Sequence, residues 1–372
     1  MKPVLVSGIQ PSGRLHIGNY LGALKNFVEL QNSGKYNCYF FIADLHSLTE
    51  NYNPKEKPGQ ILELTADFLA SGLDPKKSTI FLQSSIPAHS ELAWILNTIT
   101  PIGELKRMTQ FKDKSGVTKK IERLEKEVAD LRSSFKYGST NTFAQTEIPK
   151  KEREIQLLSD AITVDVNVGL FTYPTLMAAD ILLYDAKYVP VGDDQLQHLE
   201  LTRTLARKFN ARFGKTFVES QPILTKIPRV MSLINPTRKM SKSEPEGCLF
   251  VDDSPEEIKR KIARATTDSG SEIKHDEKKK PGISNLLEIY SALSGKTTKE
   301  LEKKFTGKNY AAFKKELATL TSNFFADFRK NKKSLLAKHQ TLITTLKSGS
   351  EKASAIADKK ILEVKKKIGL AI

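Results

Sequence analysis

The chain has 372 residues, 39% of them hydrophobic and 27% charged, as expected for a globular protein with one large and one smaller domain. Its net charge of +16 indicates either a polyanionic partner or simply a lysine-rich host proteome. Two distant cysteines, Cys38 and Cys248, and histidines without zinc-ligand spacing argue against a disulfide framework or a protein-bound metal. No apolar run is long enough to cross a membrane and no signal peptide is evident, so we expect a soluble, cytoplasmic protein.

The N-terminal part alternates between strand and helix patterns. Val4 to Ile9 is a short, β-branched apolar run that predicts a buried first strand, and the apolar positions from Tyr20 to Gln31 recur with a helical period. The alternation continues with strands at Tyr39 to Asp44 and Thr79 to Leu82, and with helices over 55–71 and 88–100. We expect Trp94, in the second of these helices, to lie in the core. Alternating strands and helices predict an α/β domain with a parallel sheet.

The loop between the first strand and the first helix is rich in glycine, serine and proline, with the sequence Gln10-Pro11-Ser12-Gly13-Arg14-Leu15-His16-Ile17-Gly18-Asn19. The backbone N–H groups of such a loop, together with the start of the following helix, form a ready site for a phosphate group. The glycine spacing matches neither the P-loop nor the dinucleotide fingerprint, and a purely structural glycine loop is the alternative.

Residues 116–167 interrupt the α/β pattern. A narrow apolar stripe lies among charged residues, at Ile121, Leu124, Val128 and Leu131. A stretch rich in glycine, serine, threonine and asparagine follows, and then a second charged helical pattern. We therefore predict a helical hairpin inserted into the α/β domain, which resumes near Val168.

The stretch from Tyr173 to Tyr184 is an almost wholly apolar helix pattern with one carboxylate, Asp180. A carboxylate buried in such a helix is costly unless a donor compensates it. The donor is either a lysine or arginine of the protein or the N–H group of a bound ligand. Val189 to Gln195 then predicts a strand-to-helix junction with many hydrogen-bond acceptors, followed by a helix over 195–209.

Residues 237–243, Thr-Arg-Lys-Met-Ser-Lys-Ser, predict a short loop, because Pro236 and Pro245 leave too few residues for a stable helix. The basic and hydroxyl side chains are of the types that hold phosphate oxygens, although basic surface loops are also common. From Ser254 onward the pattern is mostly helical. We predict an α/β domain over 1–246, an all-α domain over 247–350 and a basic C-terminal helix over 351–372.

Two of these stretches together resemble the paired signature of class I aminoacyl-tRNA synthetases: Pro11 to Asn19 at the first helix, and Lys239 to Ser243 after the last strand. The Tyr173–Asp180 helix and the junction from Val189 to His198 are similar to those of bacterial-type tryptophanyl-tRNA synthetases. The resemblance covers nearly the whole chain apart from about 116–167. It implies a Rossmann-like, doubly wound parallel sheet, a helical anticodon-binding domain and a homodimer.

The resemblance further implies that ATP converts L-tryptophan into tryptophanyl-adenylate and pyrophosphate, and that tryptophan then passes to the 3′ end of tRNA(Trp). The phosphates would be held by His16, Lys239, Lys242 and Lys114, with Mg²⁺ held mainly by the nucleotide. The plain alternative for His16 is a helix cap. The whole nucleotide site would comprise Gln10, Pro11, Ser12, Gly18, Asn19, Gly192, Asp193, Asp194, Val230, Lys239, Met240, Ser241, Lys242 and Ser243.

Asp180 would select the amino acid, because the indole N–H can only donate a hydrogen bond and a carboxylate is its complement. A site built on such a bond rejects phenylalanine by roughly 10⁴–10⁵, because the acceptor is then left unpaired. By the same resemblance Tyr173 and Gln195 would bind the α-amino group. The apolar walls, whose residues could equally be plain core, would be Val6, Met177, Val189 and Val191.

Two rival hypotheses are a tyrosyl-tRNA synthetase, with the same fold and a similar first loop, and a non-catalytic tRNA-binding paralogue. The Met-Ala-Ala sequence before Asp180 argues against the first, and the presence of His16, Lys239 and Lys242 argues against the second. The long insertion departs from the family pattern. We hypothesise that the 116–167 hairpin contacts tRNA or the partner subunit, with a decorative hairpin as the alternative.

Overall fold

The computed structural model describes residues 2–108, 118–134, 142–165, 167–224 and 230–371. Within these residues one sheet contains five parallel strands, β1 Val4–Ile9, β2 Asn37–Ile42, β3 Ser78–Leu82, β4 Tyr188–Val191 and β5 Gln221–Leu224. Their order across the sheet is β3-β2-β1-β4-β5, so the winding direction reverses between β1 and β4. The prediction of a Rossmann-like, doubly wound parallel sheet is confirmed.

The helix after β1 runs in three consecutive segments that we call α1, with a π-helical turn in the middle: Ile17–Asn19, Tyr20–Leu24 and Lys25–Asn32. The other α-helices of the described chain are α2 Lys57–Ala70, α3 Ala88–Asn97, α4 Ile102–Lys106, α5 Thr118–Ser134, α6 Thr142–Asp165, α7 Val168–Leu182, α8 Leu196–Phe213, α9 Pro255–Arg264, α10 Pro281–Ser294, α11 Thr298–Lys304, α12 Tyr310–Phe324, α13 Ala326–Leu336 and α14 His339–Ile368. None of these described helices is both long enough and apolar enough to cross a membrane.

The sheet separates two buried apolar clusters. Alternate strand residues point to opposite faces, so Leu5 and Phe40 join one cluster whereas Val6 and Phe41 join the other. The first cluster continues through α1 and α2 into α9, α10, α12 and α13, and the second includes α3, α7, α8 and the last part of α14. The helices after residue 247 therefore share a continuous apolar core with the sheet.

The last helix, α14, covers the edge of the sheet at β3. The hydroxyl of Ser350 accepts a hydrogen bond from the backbone N–H of Leu82 at 3.2 Å. Gly349 lies so close to β3 that an added Cβ would be 1.7 Å from the carbonyl oxygen of Ile80. A covered edge strand cannot pair with another chain. The boundary that we predicted at residue 350 falls inside this one continuous helix, so residues from 351 onward continue it rather than begin a new one.

The insertion contains two helices, α5 and α6, that pack against each other as a hairpin. Leu124 and Val128 on α5 are buried, in agreement with the apolar stripe of the sequence. A salt bridge of 2.9 Å between Lys120 and Glu154 crosses from one helix to the other. The connecting residues 135–141 lie outside the described part of the chain.

The prediction that Trp94 lies in the core is wrong, because this residue is 71% exposed on α3. Ser90 and Glu91, one turn before Trp94, are exposed as well, and Asn97, one turn after it, is only partly buried. Trp94 therefore lies on the polar side of an amphipathic helix. Ile102, at the start of α4, is 64% exposed and adds a second large apolar side chain to the surface.

Candidate active site

Polar segments follow several strands at the carboxyl edge of the sheet. The loop from Gln10 follows β1, and 3₁₀ turns follow β2, β3 and β4 at His46–Thr49, Gln83–Ser85 and Asp193–Gln195. Open α/β sheets bind ligands in the crevice outside the carboxyl ends of the strands, where the strand order reverses. Here that crevice lies between β1 and β4.

His16 caps the N-terminus of α1. Its Nδ1 accepts a hydrogen bond from the backbone N–H of Asn19 at 3.2 Å, and the Asn19 side chain accepts one from the backbone N–H of His16. Since Nδ1 is an acceptor, the proton of the neutral ring is on Nε2, which can donate to a ligand. Burial and the nearby charges of Lys242 and Lys239 lower the pKa of His16 to about 4, so the ring is neutral at pH 7. The cap and the donor role are therefore compatible.

Gly18 provides the space that the His16 ring occupies. An added Cβ at Gly18 would lie 2.9 Å from Cε1 and 3.0 Å from Nδ1 of His16, so a side chain there would displace the imidazole. The same added Cβ would lie 3.6 Å from Cβ of Val230, which is therefore beside the first loop. Val230 is one of the residues predicted for the nucleotide site.

The first loop pairs with a segment that follows the 237–243 loop. His16 lies opposite Phe250 in an antiparallel bridge. Two backbone hydrogen bonds flank this bridge, from Ile17 to Leu249 at 2.8 Å and from Val251 to Leu15 at 3.0 Å. The two signature stretches, distant in the sequence, are thereby held against each other.

Charged side chains strengthen the same pairing. The Arg14 guanidinium donates to Asp252 at 2.6 Å and to Asp253 at 2.9 Å. Asp253 is fully buried and also accepts a hydrogen bond from Lys261 of α9 at 2.6 Å. Hydrogen bonds between charged groups are stronger than those between neutral groups, so the first loop is fixed both through its backbone and through Arg14.

Lys332 extends this cluster into α13. The side chain is buried, and Nζ lies 2.7 Å from Asp67 of α2 and 2.9 Å from Asp252. Removing the cation would leave two carboxylates close together in a region of little water. Through Asp252 and Arg14, Lys332 connects α13 with the first loop.

Residues 237–243 form a loop and not a helix, as predicted. The backbone N–H of Met240 donates to the carbonyl oxygen of Val230 at 3.1 Å, and Lys239 lies opposite Met231 in an antiparallel bridge. Met240 is buried whereas Lys239 is exposed. The loop is thus anchored by its backbone and its methionine, which leaves the Lys239 ammonium directed to solvent.

Lys242 reaches from this loop to the first one. Its Nζ donates to the hydroxyl of Ser12 at 3.1 Å and to the carbonyl oxygen of Gly13 at 3.2 Å. Burial lowers the pKa of Lys242. Neutral oxygens are weaker partners for an ammonium group than a phosphate, whose charge makes the hydrogen bond roughly twice as strong. The two signature stretches therefore meet at a cation that a phosphate could bind.

Asp180, which is 1% exposed, is the centre of a buried hydrogen-bond network. His46 Nε2 lies 2.8 Å from Oδ2, His89 Nδ1 lies 2.6 Å from Oδ1, and Gln83 Nε2 donates to both oxygens at 2.8 and 3.0 Å. Burial raises the pKa of Asp180, but the hydrogen bonds from the two histidines outweigh burial and hold it below its ordinary value. The donors are thus histidine and glutamine side chains rather than the lysine or arginine of our alternative hypothesis.

This network corrects one premise of the sequence argument. We expected Asp180 to be left without a donor when no indole is bound, whereas the protein itself supplies three donors. An ionised carboxylate offers about four acceptor positions. Four contacts from these three donors occupy all of these positions, and two of the four come from the single Gln83 nitrogen. A ligand N–H can therefore bind only in place of one of the two Gln83 contacts, and the loss of that ligand does not leave a bare buried charge.

Tyr173 and His198 form a second polar pair next to this network. The Tyr173 hydroxyl hydrogen-bonds to His198 Nε2, and the ring of His46 lies edge-on to Tyr173 with centroids 6.2 Å apart. Burial lowers the pKa of His198 to about 4, and burial followed by the charge of Asp194 raises the pKa of Tyr173. Gln195 donates to Asp194 at 2.9 Å. A neutral hydroxyl near an exposed carboxylate is a suitable environment for an ammonium group.

The predicted apolar walls are brought together on one face of the sheet. Val6, Val189 and Val191 belong to the same buried cluster, and Met177 packs against it. The cluster also contains Ala178 and Ala179 of α7, the two residues that precede Asp180. These side chains lie on the face that α7 covers, and their burial is equally that of core residues.

Of the other predicted site residues, Gly192, Asp193 and Asp194 lie at the end of β4, and Ser241 and Ser243 hydrogen-bond to each other in the 237–243 loop. Pro11 is buried in the first loop and Gln10 is partly buried. Lys114 falls within 109–117, outside the described residues.

Five polar residues of this region had no predicted role: His46, Gln83, His89, Tyr184 and His198. Gln83 comes directly after strand β3 and His46 lies four residues after the end of β2, and these positions were a usable signal. His89 and Tyr184 lie inside apolar stretches, where only the three-dimensional structure reveals their partners.

The chain has clear relatives among known proteins. The family model described as "tRNA synthetases class I (W and Y)" matches residues 1–138 and 130–326. The tryptophan–tRNA ligase of Caldanaerobacter subterraneus subsp. tengcongensis is 46% identical over 369 residues, which cover 98% of each chain.

Solved structures give the same result. Tryptophanyl-tRNA synthetase from Mycoplasma pneumoniae matches with a TM-score of 0.79 and 32% identity, over 100% of this chain and 99% of that one. The enzyme from Campylobacter jejuni, complexed with ADP and tryptophan, matches with a TM-score of 0.73 and 32% identity, over 98% and 99%. The chain therefore belongs to the class I tRNA synthetases of the tryptophan and tyrosine family, as its signature stretches predicted.

Proposed function

We propose that the chain is a tryptophan–tRNA ligase that activates L-tryptophan with ATP and transfers it to tRNA(Trp). The bond of Lys242 to Ser12 and Gly13 is the observation that carries this proposal, because it joins the two signature stretches at a cation suited to phosphate. The full-length similarity to tryptophan–tRNA ligases supports the choice of amino acid. The enzyme is an aminoacyl-tRNA ligase, and the rival hypotheses of a tyrosyl enzyme or a non-catalytic paralogue have less support.

In this proposal the tryptophan carboxylate attacks the α-phosphate of ATP and pyrophosphate leaves. The protein contributes positioning and the stabilisation of charge on the phosphates, so no nucleophilic side chain is required. His16 donates from Nε2, because its Nδ1 is occupied by Asn19, while Lys239 and Lys242 bind the leaving pyrophosphate. For Lys242, binding means leaving Ser12 and Gly13 for the phosphate. Lys114 stays a prediction for the same role.

The amino acid would lie between the carboxyl ends of the strands and α7. Asp180 would accept the indole N–H in place of one of the two contacts that it receives from Gln83. Tyr173 and Gln195 bind the α-amino group, with the charge of Asp194 nearby. The nucleotide would occupy the first loop and the end of β4, and the apolar walls stay a prediction.

Mg²⁺ stays a prediction as well. The proposed phosphate site offers an imidazole and two ammonium groups, whereas Mg²⁺ requires oxygen ligands. These side chains therefore suit phosphates and not a bare divalent cation, and any Mg²⁺ would arrive on the nucleotide. When bound in that way, the ion would neutralise part of the phosphate charge.

The partners follow from the same proposal. tRNA(Trp) would contact the helices after residue 247, although the individual anticodon contacts are not assigned. A homodimer is supported by two large exposed apolar side chains, Trp94 and Ile102. A cytoplasmic location and a contact of the hairpin α5–α6 with tRNA or the partner subunit also stay predictions.

Aminoacylation of tRNA(Trp) with labelled tryptophan tests the proposal. Lys242→Gln should lower the charging rate at saturating tRNA by about 10²–10³-fold, because one charged donor to the phosphates is lost. Lys259→Gln is the matched control, since Lys259 is exposed on α9 and has no role in the proposed site. Charging of tRNA(Tyr) with tyrosine, or equal effects of the two substitutions, would contradict the proposal.

A further inference from the structure

Behind Asp180 lies a chain of buried polar groups that the proposed chemistry does not use. The hydroxyl of Tyr184 lies 2.8 Å from His89 Nε2, and His89 Nδ1 lies 2.6 Å from Oδ1 of Asp180. His89 and Asp180 are at most 1% exposed and Tyr184 is 2% exposed. Groups at this depth keep their hydrogen bonds within the protein, because water cannot replace a missing partner.

We propose that Tyr184 and His89 form a relay that orients the Asp180 carboxylate toward the indole N–H of tryptophan, which makes His89 a positioning residue for amino acid selection. The proposal rests on the function proposed above and deepens it. His89 itself would not touch the substrate, since one ring nitrogen faces Asp180 and the other faces Tyr184.

The direction of each hydrogen bond follows from the chemistry of the groups. An ionised carboxylate only accepts hydrogen bonds, so His89 donates from Nδ1 to Asp180. In the neutral imidazole Nε2 is then the acceptor, and the Tyr184 hydroxyl, whose pKa is raised by burial, donates to it. The Tyr184 hydroxyl thereby favours the tautomer with its proton on Nδ1.

The other donors to Asp180 are fixed independently. The carbonyl oxygen of the Gln83 side chain accepts from the backbone N–H of Leu45 at 3.1 Å, which turns the amide nitrogen toward Asp180. His46 occupies the opposite oxygen. Oδ1 is shared by His89 at 2.6 Å and Gln83 at 2.8 Å, so His89 supplies the shorter of its two hydrogen bonds. Loss of His89 would leave Oδ1 with Gln83 alone and would let the carboxylate rotate away from a ligand.

The surroundings keep the relay dry and rigid. The ring of Tyr39 stacks on that of Tyr184 with centroids 5.3 Å apart, and Phe81 packs against both Tyr184 and His89. A hydrogen bond in such a region is stronger than in water, and a broken one is more costly. The relay can therefore transmit the effect of a single hydroxyl to the orientation of Asp180.

The test compares tryptophan with an analogue in which sulfur replaces the indole N–H (3-benzothienylalanine), by ATP–pyrophosphate exchange. In His89→Leu we expect kcat/KM for tryptophan to fall about 10- to 100-fold through KM, with KM for ATP unchanged, because a hydrogen bond to a charged group is weakened. The analogue, which makes no such bond, should change by less than about threefold. His89→Asn keeps an N–H donor near the Nδ1 position and should recover part of the loss.

Tyr184→Phe removes only the hydroxyl oxygen and should lower the ratio of tryptophan to analogue activity by about 3- to 10-fold. If His89→Leu does not fold, this variant decides the question alone. The relay would be overturned if His89→Leu lost equal activity with tryptophan and with the analogue, or if folded Tyr184→Phe kept the wild-type ratio of tryptophan to analogue activity. It would also be overturned if His89→Asn were no more active with tryptophan than His89→Leu. Absence of tryptophan-dependent exchange in the wild type would instead overturn the proposed function.

Discussion

His16 and Phe250 lie opposite each other in an antiparallel bridge, which joins the loop at the first helix to the segment that follows the Lys-Met-Ser-Lys-Ser sequence. Backbone hydrogen bonds of 2.8 and 3.0 Å close the bridge on either side. Because backbone pairing does not depend on side-chain identity, the sequence alone gives no sign of it. In the proposed function, the bridge would let two distant stretches hold the same triphosphate.

The charge cluster behind this bridge yields a stability prediction. Lys332→Met should lower the free energy of unfolding by about 3–5 kcal/mol, because buried Asp67 loses its cation and the partly buried Asp252 keeps only Arg14. Urea denaturation measures the change. Arg260→Gln is the control, since the Arg260–Glu246 pair is exposed and worth about 0–1 kcal/mol. Losses of the same size in both variants would contradict a structural role for Lys332.

Gly349 should tolerate no side chain. Gly349→Ala should destabilise the protein by about 1–3 kcal/mol or more, because the new Cβ would overlap the carbonyl oxygen of Ile80 and push α14 off β3. Gly59→Ala is the matched control in an exposed position of α2, where an added Cβ meets no atom within 4 Å. That variant should instead gain about 0.5–1 kcal/mol from helix propensity. Thermal unfolding should show a lower Tm for Gly349→Ala and a higher Tm for Gly59→Ala than for the wild type.

The pKa of His16 gives stability a dependence on pH. The unfolded chain takes up a proton near pH 6.5, whereas the folded His16 does so only near pH 4. Between these values the unfolded state binds more protons, so the free energy of unfolding rises with pH. The contribution of His16 to that free energy is lost as the pH falls from 6.5 to 4. His198, whose pKa is also lowered to about 4, adds to the same slope.

His16→Asn isolates the contribution of His16, because asparagine still caps a helix but does not titrate. Denaturation between pH 6.5 and pH 4 should show a slope smaller by at most about 1.4 kcal/mol per pH unit. An unchanged slope would mean that His16 is not held neutral. The same variant should lower pyrophosphate exchange by about 10²–10³-fold, since it removes the Nε2–H donor.

Asp180→Asn tests amino acid selection with little change of shape. We expect the preference for tryptophan over phenylalanine to fall by about 10- to 150-fold, the worth of one hydrogen bond to a charged group, while KM for ATP is unchanged. This is less than the 10⁴–10⁵ first expected, because three protein donors remain on Asp180 when no indole is bound. An unaltered preference would remove Asp180 from the selection of tryptophan.

The exposed Trp94 predicts a dimer interface. Trp94→Lys should shift the protein toward the monomer in size-exclusion chromatography with light scattering, because a charge would be buried against the second copy. Leu370→Lys is the control, since Leu370 is also exposed, at 63%, but lies at the end of the chain. A wild-type monomer, or equal shifts in both variants, would contradict this interface.

Much of the fold could be predicted because the hydrophobic pattern of each segment indicates its secondary structure. The first strand, Val4 to Ile9, agrees with β1 residue for residue, and the hairpin was predicted from its apolar stripe. Trp94 was misplaced because its hydrophobicity was given more weight than its position, one turn from the exposed Ser90 and Glu91 on the polar side of α3. The last helix was divided at residue 350 because its packing on β3 depends on Gly349, whose role is visible only beside Ile80.

The candidate site, like the fold, could be predicted from the sequence only in part. Asp180 was found because a carboxylate in an apolar helix needs a partner, but the partner itself could not be identified. His46, Gln83 and His89 come from three different segments, and only the parallel sheet brings those segments to one edge. Local sequence thus identified the group that needs donors, and tertiary structure supplied the donors.

Amino-acid-dependent ATP–pyrophosphate exchange tests most directly the central claim that this chain activates tryptophan. Purified wild-type protein should exchange labelled pyrophosphate into ATP with tryptophan, only weakly with phenylalanine, and not with tyrosine. The Lys242→Gln variant should lose this exchange by about 10²–10³-fold, because the leaving pyrophosphate loses a charged partner. Exchange with tyrosine but not tryptophan, or none with any amino acid, would contradict the claim.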